Sequence, residues 1–147
     1  MTSVGSHRPL VYSVLVPTTA DFSTLADKRF ISLTTFRKSG EPVSTAVWIA
    51  RDGDDLIVTT PKVSGKVKRL RNSDRVEMRP CGRSGKVEAD AVCTVGVATI
   101  ADDDASRALL TTVFGAKYGL EYRIFMFIER LGKSGNKDRV LLRITPA

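Results

Sequence analysis

The hydrophobic pattern of the first half of the chain is that of β-strands. RFISLTTF at 29–36 alternates between two faces, and the β-rich segments VSTAVWIA at 43–50 and LIVTT at 56–60 follow it. The turn sequences KSGEP and RDGDD separate the three segments, and the second contains an Asp-Gly pair that favours a tight turn. The pattern therefore predicts three strands that form an antiparallel meander.

Two short helices flank this predicted meander. Asp21 is the predicted cap of a helix over 21–27. After the third strand, Val63, Val67 and Leu70 recur at i, i+4 and i+7, which predicts a helix with one narrow apolar stripe. Ser64 is the expected N-cap of this second helix.

The second half of the chain predicts another hairpin. RVEMRPCG at 75–82 and KVEADAVCTVGVATIA at 86–101 flank the turn sequence RSG, which would place Arg79 opposite Asp90. The second arm is long enough to bend at Gly96. These segments add two strands to the predicted sheet.

The remainder of the chain predicts one helix, a helical or irregular segment and a last strand. Residues 102–119 begin with acidic side chains, which suit the positive end of a helix dipole. The segment EYRIFMFIERL at 121–131 is apolar on nearly every side, and DRVLLRITP closes the chain as a strand. The predicted buried side chains of the helix are Leu109, Leu110, Val113 and Phe114.

An antiparallel sheet with this many strands and few helices tends to close into a small barrel, because closure removes exposed edges. The fold class is therefore expected to be mainly β (α+β). Length is consistent with one domain, since 147 residues suffice to bury a core. We assign residues 21–147 to that domain and residues 1–20 to a flexible N-terminal segment that contains His7, the only histidine.

Charge indicates an anionic partner. The chain carries 23 Lys and Arg against 16 Asp and Glu, a net charge of +7, which attracts nucleic acid, acidic lipid or a phosphorylated small molecule. Two cysteines are too few for a disulfide framework, and no signal-peptide pattern or bilayer-length apolar run is present. We therefore expect a cytoplasmic protein with no membrane contact.

Most catalytic motifs are absent from the sequence. It contains no GxxxxGK[ST], GxGxxG, HExxH or GxSxG motif and no Cys-His cluster. Asp102, Asp103 and Asp104 are most simply partners of a helix dipole, so no metal site is predicted. No catalytic residue can be named, and if the protein is an enzyme, a cofactor carries the difficult chemistry.

The segment SGKVKRL is the best candidate for an anion site. Gly65 permits close approach of the backbone, Ser64 can donate to a phosphate, and Lys66 lies in the first helical turn, where a bound anion would offset its conflict with the helix dipole. Lys68 and Arg69 follow. The alternative is an ordinary solvated basic helix face, and nucleic acid is disfavoured because no aromatic residues interleave with the basic ones.

Residues on two neighbouring strands can share a concavity with this segment. Thr59 and Thr60 end the strand before it, and Thr45 and Trp48 lie on the preceding strand. For the threonines the alternative is ordinary β-propensity, and for Trp48 it is packing in the core.

The order of these elements resembles the pyridoxamine 5'-phosphate oxidase-like split β-barrel family, in particular its branch that uses the deazaflavin coenzyme F420. SLTTF, the GEPVSTAVW strand and the SGKVKRLRN helix carry the resemblance, which is good over residues 25–101. It implies a six-stranded antiparallel split β-barrel with flanking short helices that pairs as a homodimer, with two cofactor clefts between the subunits.

The resemblance also implies which residues bind the cofactor. The ring would lie along the strand 44–48, the phosphate would meet the strand end and the helix start, and a later strand would approach the ring or tail. The implied cofactor-binding residues are Ser44, Thr45, Val47, Trp48, Thr59, Thr60, Ser64, Gly65, Lys66, Lys68, Arg79 and Pro80.

The implied function is an F420-dependent oxidoreductase that transfers hydride between a reduced deazaflavin and a small organic substrate. A deazaflavin with a phosphodiester and a polyglutamate tail is more anionic than FMN, which suits the basic balance of the chain. The sequence departs from the FMN oxidase pattern, since Ser64-Gly65-Lys66 replaces a Ser-Arg-Lys run. An FMN-binding oxidase-like protein and a carrier or sensor without turnover are the alternatives.

Overall fold

The computed structural model of the protein describes residues 19–131 and 138–147. These residues form four helices and seven strands. In chain order they are α1 (Thr19–Ala26), β1 (Ile31–Phe36), β2 (Pro42–Val47), β3 (Ile49–Asp52), β4 (Asp55–Pro61), α2 (Gly65–Leu70), β5 (Arg75–Pro80), β6 (Thr94–Ala101), α3 (Asp104–Tyr118), α4 (Leu120–Arg130) and β7 (Arg139–Pro146). Most of the predicted flexible segment 1–20 lies outside the described residues.

All seven strands belong to one antiparallel sheet with the order β2-β1-β5-β6-β7-β4-β3. Strands β2 and β3 lie at opposite edges of that order although only Trp48 separates them in the chain. The sheet must therefore curl until its two edges meet at Trp48, which makes a split barrel. The class predicted from the sequence, mainly β with short helices, is confirmed.

The expected number of six strands is wrong, and Trp48 is the reason. The segment 43–50 was predicted as one strand, but its first half pairs with β1 and its second half with β4. A single flat strand cannot pair with both edges of a curved sheet in this way, so the backbone bends at Trp48 and two strands result. The hairpin from β1 to β2 and the hairpin from β3 to β4 are as predicted.

The second predicted hairpin is only partly correct. Strand β6 begins at Thr94, which pairs with Met78, and the residues between β5 and β6 form turns and an extended loop. Arg79 does not lie opposite Asp90, because the pairing of β5 with β6 ends at Met78 and Asp90 lies in a turn. The side chains of residues 86–91 are mostly solvent-exposed, so the alternating hydrophobic pattern of this segment does not correspond to a buried face of a strand.

The helix predictions need two smaller corrections. Helix α1 begins at Thr19, so Asp21 lies inside it and is not its cap. Helix α2 begins at Gly65, with Ser64 as N-cap as predicted, and buries Val67 and Leu70. Val63 precedes the helix and is 63% exposed, so it does not belong to the apolar stripe.

The core has two parts on the two faces of the curved sheet. One fills the barrel between the strands, α1 and α2, and includes Ile31, Leu33 and Met78. The other lies between the sheet and the helices α3 and α4, where Leu110, Phe114 and Tyr118 of α3 are buried. This second cluster confirms the predicted helix over 102–119 and places α3 and α4 beside the break at Trp48. No helix within the described ranges is long and apolar enough to span a bilayer.

Candidate functional site

A cavity of about 340 Å³ opens beside the break between β2 and β3. The end of β4, the start of α2, helix α4 and the loop after β5 complete its wall. Its lining residues are Phe30, Ala46, Val47, Trp48, Thr59, Thr60, Pro61, Lys66, Arg83, Phe125 and Arg139. The volume lies in the range of small-molecule and cofactor sites.

Trp48 provides the aromatic part of the wall. Its ring stacks on Tyr118 with a centroid distance of 4.8 Å and contacts Phe125 at 5.1 Å. Trp48 therefore packs against the helices and also borders the cavity, and its stacking on a ligand stays a prediction.

Lys66 brings a positive charge into the cavity. Within the described part of the chain, no carboxylate lies within 4.0 Å of its ammonium group. Burial lowers the pKa of Lys66, and the nearby positive charges of Arg69 and Arg139 lower it further. A group in this position gains from any anion that enters the cavity, because the anion relieves both effects.

Arg139 holds the opposite side of the same wall in a fixed orientation. Its Nε donates to Oγ1 of Thr59 at 2.8 Å, and its Nη1 donates to Oε2 of Glu129 at 2.6 Å. Nη2 donates to the carbonyl oxygen of Thr59 at 3.3 Å. The second carboxylate oxygen of Glu129 is buried and has no hydrogen-bond partner. The pair thus ties the ends of α4, β4 and β7 together at the cavity.

Ser64 lies directly beside the cavity and uses its hydroxyl oxygen as an acceptor. That oxygen accepts from the Val67 amide at 3.4 Å, which caps α2, and from the Thr60 hydroxyl at 3.1 Å. The Ser64 proton is then available for donation to another group.

Gly65 has a packing role that the sequence did not indicate. A Cβ at this position would lie 2.8 Å from Nη1 of Arg69, whose side chain folds back over the glycine. The same guanidinium donates from Nε to the Thr35 hydroxyl at 2.6 Å. The glycine therefore makes room for Arg69, next to the cavity but not lining it.

The predicted site residues fall into three groups in the structure. Val47, Trp48, Thr59, Thr60 and Lys66 line the cavity together, and Ser64 and Gly65 adjoin it. The others lie outside the lining: Ser44 shares a hydrogen bond of 2.7 Å with Thr34, Thr45 has a buried hydroxyl without a partner, Lys68 is exposed on α2, and Arg79 and Pro80 lie on β5 against β1. Their roles stay predictions.

Six lining residues were not found from the sequence. Ala46 and Pro61 flank predicted site residues in the chain, and Phe30 lies in the first predicted strand segment. Arg83, Phe125 and Arg139 come from distant segments. The Arg83 guanidinium lies 5.2 Å from the centroid of the Phe30 ring and 3.6 Å from the Glu121 carboxylate. Arg139 directly precedes the apolar run VLL, and its local sequence carries no signal that it faces the cavity.

The family model described as pyridoxamine 5'-phosphate oxidase matches residues 18–147, so the chain belongs to the pyridoxamine 5'-phosphate oxidase family. This confirms the family resemblance and its split-barrel fold. No curated protein matches the chain.

Solved structures share the fold at low sequence identity. One described as an F420 reductase is 20% identical, with a TM-score of 0.56, and the match covers 86% of this chain and 93% of the other. A conserved hypothetical protein from Mycobacterium tuberculosis is 24% identical, with a TM-score of 0.62, and the match covers 86% of this chain and 77% of the other. A pyridoxamine 5'-phosphate oxidase-related, FMN binding protein from Nostoc punctiforme is 14% identical, with a TM-score of 0.54, and the match covers 95% of this chain and 79% of the other.

Proposed function

We propose that the protein is an F420-dependent oxidoreductase, acting as a reductase in the cytoplasm, that transfers hydride from a reduced deazaflavin to a small electrophilic organic substrate. The observation that carries this proposal is the composition of the cavity wall. One part is apolar and aromatic, with Trp48 and Phe125, and the rest carries Lys66, Arg83 and Arg139. A planar ring with an anionic tail matches both parts.

The unpartnered charge on Lys66 favours the more anionic of the two candidate cofactors. Arg139 and Arg83 each have a carboxylate neighbour, whereas Lys66 has none among the described residues. An anion beside Lys66 forms a charge-assisted contact in a partly desolvated site, where such contacts are strongest. A phosphodiester with further carboxylates can meet several of these cations at once.

Among the described residues, no carboxylate, histidine or cysteine lines the cavity, which is compatible with this chemistry. When bound, a reduced deazaflavin would supply the hydride, and water would supply the proton that completes the reduction. The protein has to hold ring and substrate face to face, which apolar neighbours such as Trp48 and Phe125 can do. Lys66 and Ser64 would hold the phosphate.

Titration with both cofactors tests the proposal. We expect F420 to bind at least about tenfold more tightly than FMN, since one additional charge-assisted contact contributes about 1.5 kcal/mol. Added salt should weaken F420 binding more than FMN binding. Quenching of Trp48, the only tryptophan, measures both affinities. Tighter binding of FMN would identify an FMN-dependent protein, and no binding of either would refute the proposal.

Turnover distinguishes an enzyme from a carrier or sensor. Reduced F420 bound to the protein should be oxidised when an unsaturated or nitro-substituted test compound is added, and the absorbance of the oxidised ring should appear with it. A protein that binds F420 tightly without oxidation by any of a panel of such compounds would be the carrier of the alternative proposal.

We also propose that the protein is a homodimer. Six of the eight exposed large apolar side chains among the described residues lie on α4 or at its end. They are Leu120, Ile124, Phe125, Phe127, Ile128 and Leu131, here called the α4 patch. A contiguous apolar surface of this kind marks an interaction site, and a second copy of the chain is its proposed occupant because Phe125 joins the patch to the cavity.

A double substitution in the α4 patch tests the dimer. Phe127→Ser with Ile128→Ser should convert a dimer into a monomer, because it removes two apolar side chains of the patch that are each 62% exposed. Light scattering after size-exclusion chromatography measures the mass. Val92→Ser, at a 66% exposed residue outside the patch, should leave the dimer intact. A monomeric wild-type protein would contradict the proposal.

A further inference from the structure

Two adjacent side chains in the last turn of α3 form hydrogen bonds with main-chain atoms of other elements. Lys117 and Tyr118 bind main-chain atoms of the segment between α1 and β1 and of the start of β3. Those two segments carry Phe30 and Trp48, which line the cavity. None of the residues in this contact was singled out by the sequence patterns.

Lys117 makes three hydrogen bonds through one ammonium group. Its Nζ donates to the carbonyl oxygens of Ala26, Lys28 and Ile49, each at 2.6 Å. Three donors meet three acceptors, which uses the full capacity of a charged lysine. Ala26 ends α1, so this ammonium group also satisfies a carbonyl at the negative end of a helix.

Tyr118 makes contacts with the same two segments. Its hydroxyl accepts from the Ile49 amide at 3.1 Å and is within hydrogen-bond distance of the carbonyl oxygens of Arg29, at 2.8 Å, and Ile49, at 3.0 Å. Its ring stacks on Trp48. Every one of these contacts lies one residue away from Phe30 or Trp48, or on Trp48 itself.

We propose that Lys117 and Tyr118 are positioning residues that set the separation of Phe30 and Trp48 across the cavity, and that loss of the Lys117 charge loosens this arrangement. The inference rests on the proposed function, since it concerns how the cavity holds a ring. Lys117 and Tyr118 do not line the cavity, so they act through the two residues they place.

The charged state of Lys117 is accessible to titration near neutral pH. Burial lowers the pKa of Lys117 to about 8, Asp27 opposes this decrease, and Arg29 adds to it. Arg51 of β3 borders the same open surface beside Lys117, and Glu121 of α4 pairs with Arg29 on the other side. A neutral amine has two protons to donate, so one of the three carbonyls loses its partner above that pH.

The direction in which deprotonation of Lys117 changes the free energy of unfolding distinguishes a positioning role from a purely structural one. Below the folded pKa, Lys117 is protonated in both states, and between about 8 and the ordinary value of 10.5 the unfolded chain binds more protons. The contribution of this group to the free energy of unfolding therefore rises with pH over that window. A loss of ring binding in the same window cannot then be ascribed to unfolding by this group.

The emission of Trp48 in the full chain without cofactor is the first test. We expect it to change with a midpoint near pH 8 in the wild-type protein. Lys117→Met should show no transition and should match the alkaline wild type, whereas Lys117→Arg, charged at all these pH values, should match the neutral wild type. Burial raises the pKa of Cys81 and of Cys93 above the ordinary value of 9.0, so neither thiol titrates at this midpoint.

Cofactor affinity is the second test. F420 should bind roughly three- to tenfold more weakly to Lys117→Met and to Tyr118→Phe, and to the wild type above the midpoint, the range for one or two neutral hydrogen bonds. Lys117→Arg should retain most of the affinity. Flat wild-type emission around the midpoint, or a Lys117→Met variant with unaltered emission and affinity and only a lower melting temperature, would overturn the inference. If the emission titrates through Lys117 but no ring compound binds, positioning of Trp48 stands and the proposed function fails.

Discussion

Lys66→Ala is expected to weaken F420 binding on the order of 10- to 100-fold, the range for losing one hydrogen bond to a charged group. Lys66 is the cation in the cavity without an acidic neighbour among the described residues, so the bound anion is its expected partner. Equilibrium titration by quenching of Trp48 measures the change. The effect should shrink as salt is added, because screening already weakens the wild-type contact.

The same substitution should not destabilise the protein without cofactor. The folded state lowers the pKa of Lys66 below its unfolded value, so the charged form is disfavoured on folding at neutral pH. Removal of that charge should leave the melting temperature unchanged or slightly higher. A clear fall in stability would mean that the side chain has a packing role instead.

Lys62→Ala is the matched control for Lys66→Ala. Lys62 follows β4 directly and pairs at the surface with Asp102 at 3.0 Å. Its substitution removes the same charge from the chain as Lys66→Ala does. Since surface pairs contribute little, both stability and F420 affinity should stay within about twofold of wild type. Equal losses in the two variants would show a general effect of net charge and would count against Lys66 as the anchor.

Arg139→Met is expected to lower the free energy of unfolding by about 3 kcal/mol, the lower end of the range for breaking a buried ion pair. Arg139 is 11% exposed and Glu129 22%, so removal of the guanidinium leaves a mostly buried carboxylate that already has one unpartnered oxygen. Thr59 loses two hydrogen bonds as well. Urea denaturation measures the loss, and F420 binding should weaken with it.

A second substitution tests the assigned cause. Arg139→Met with Glu129→Gln should recover much of the stability, because the neutral amide no longer leaves a buried charge. Arg143→Met, on the same strand, is the control: its partners Asp52 and Asp55 are about one-third exposed, so its loss should stay near 1 kcal/mol or below. A double variant as unstable as Arg139→Met would refute the explanation.

The predicted site residues that lie together at the cavity include those whose proximity follows from local chain order. Thr60, Ser64 and Lys66 lie within one strand end and one helical turn, so their neighbourhood follows from the chain itself. Predictions that needed a strand register were weaker, since the pairing of β5 with β6 stops at Met78 and Asp90 lies in a turn. Alternation shows which side chains share a face, but it does not show which strand lies alongside.

The amino-acid sequence by itself determined the antiparallel sheet, the cap at Ser64 and the positive charge beside it, because these depend on periodicity and short-range order. Its motifs carried the resemblance to the family. Tertiary structure alone decided that the strand breaks at Trp48, that Arg139 and Phe125 meet Lys66 across the cavity, and that Lys117 reaches three carbonyls of distant segments. Such contacts arise only when the sheet curls and its edges approach. The hydrophobic pattern within one segment does not predict which distant segments then come into contact.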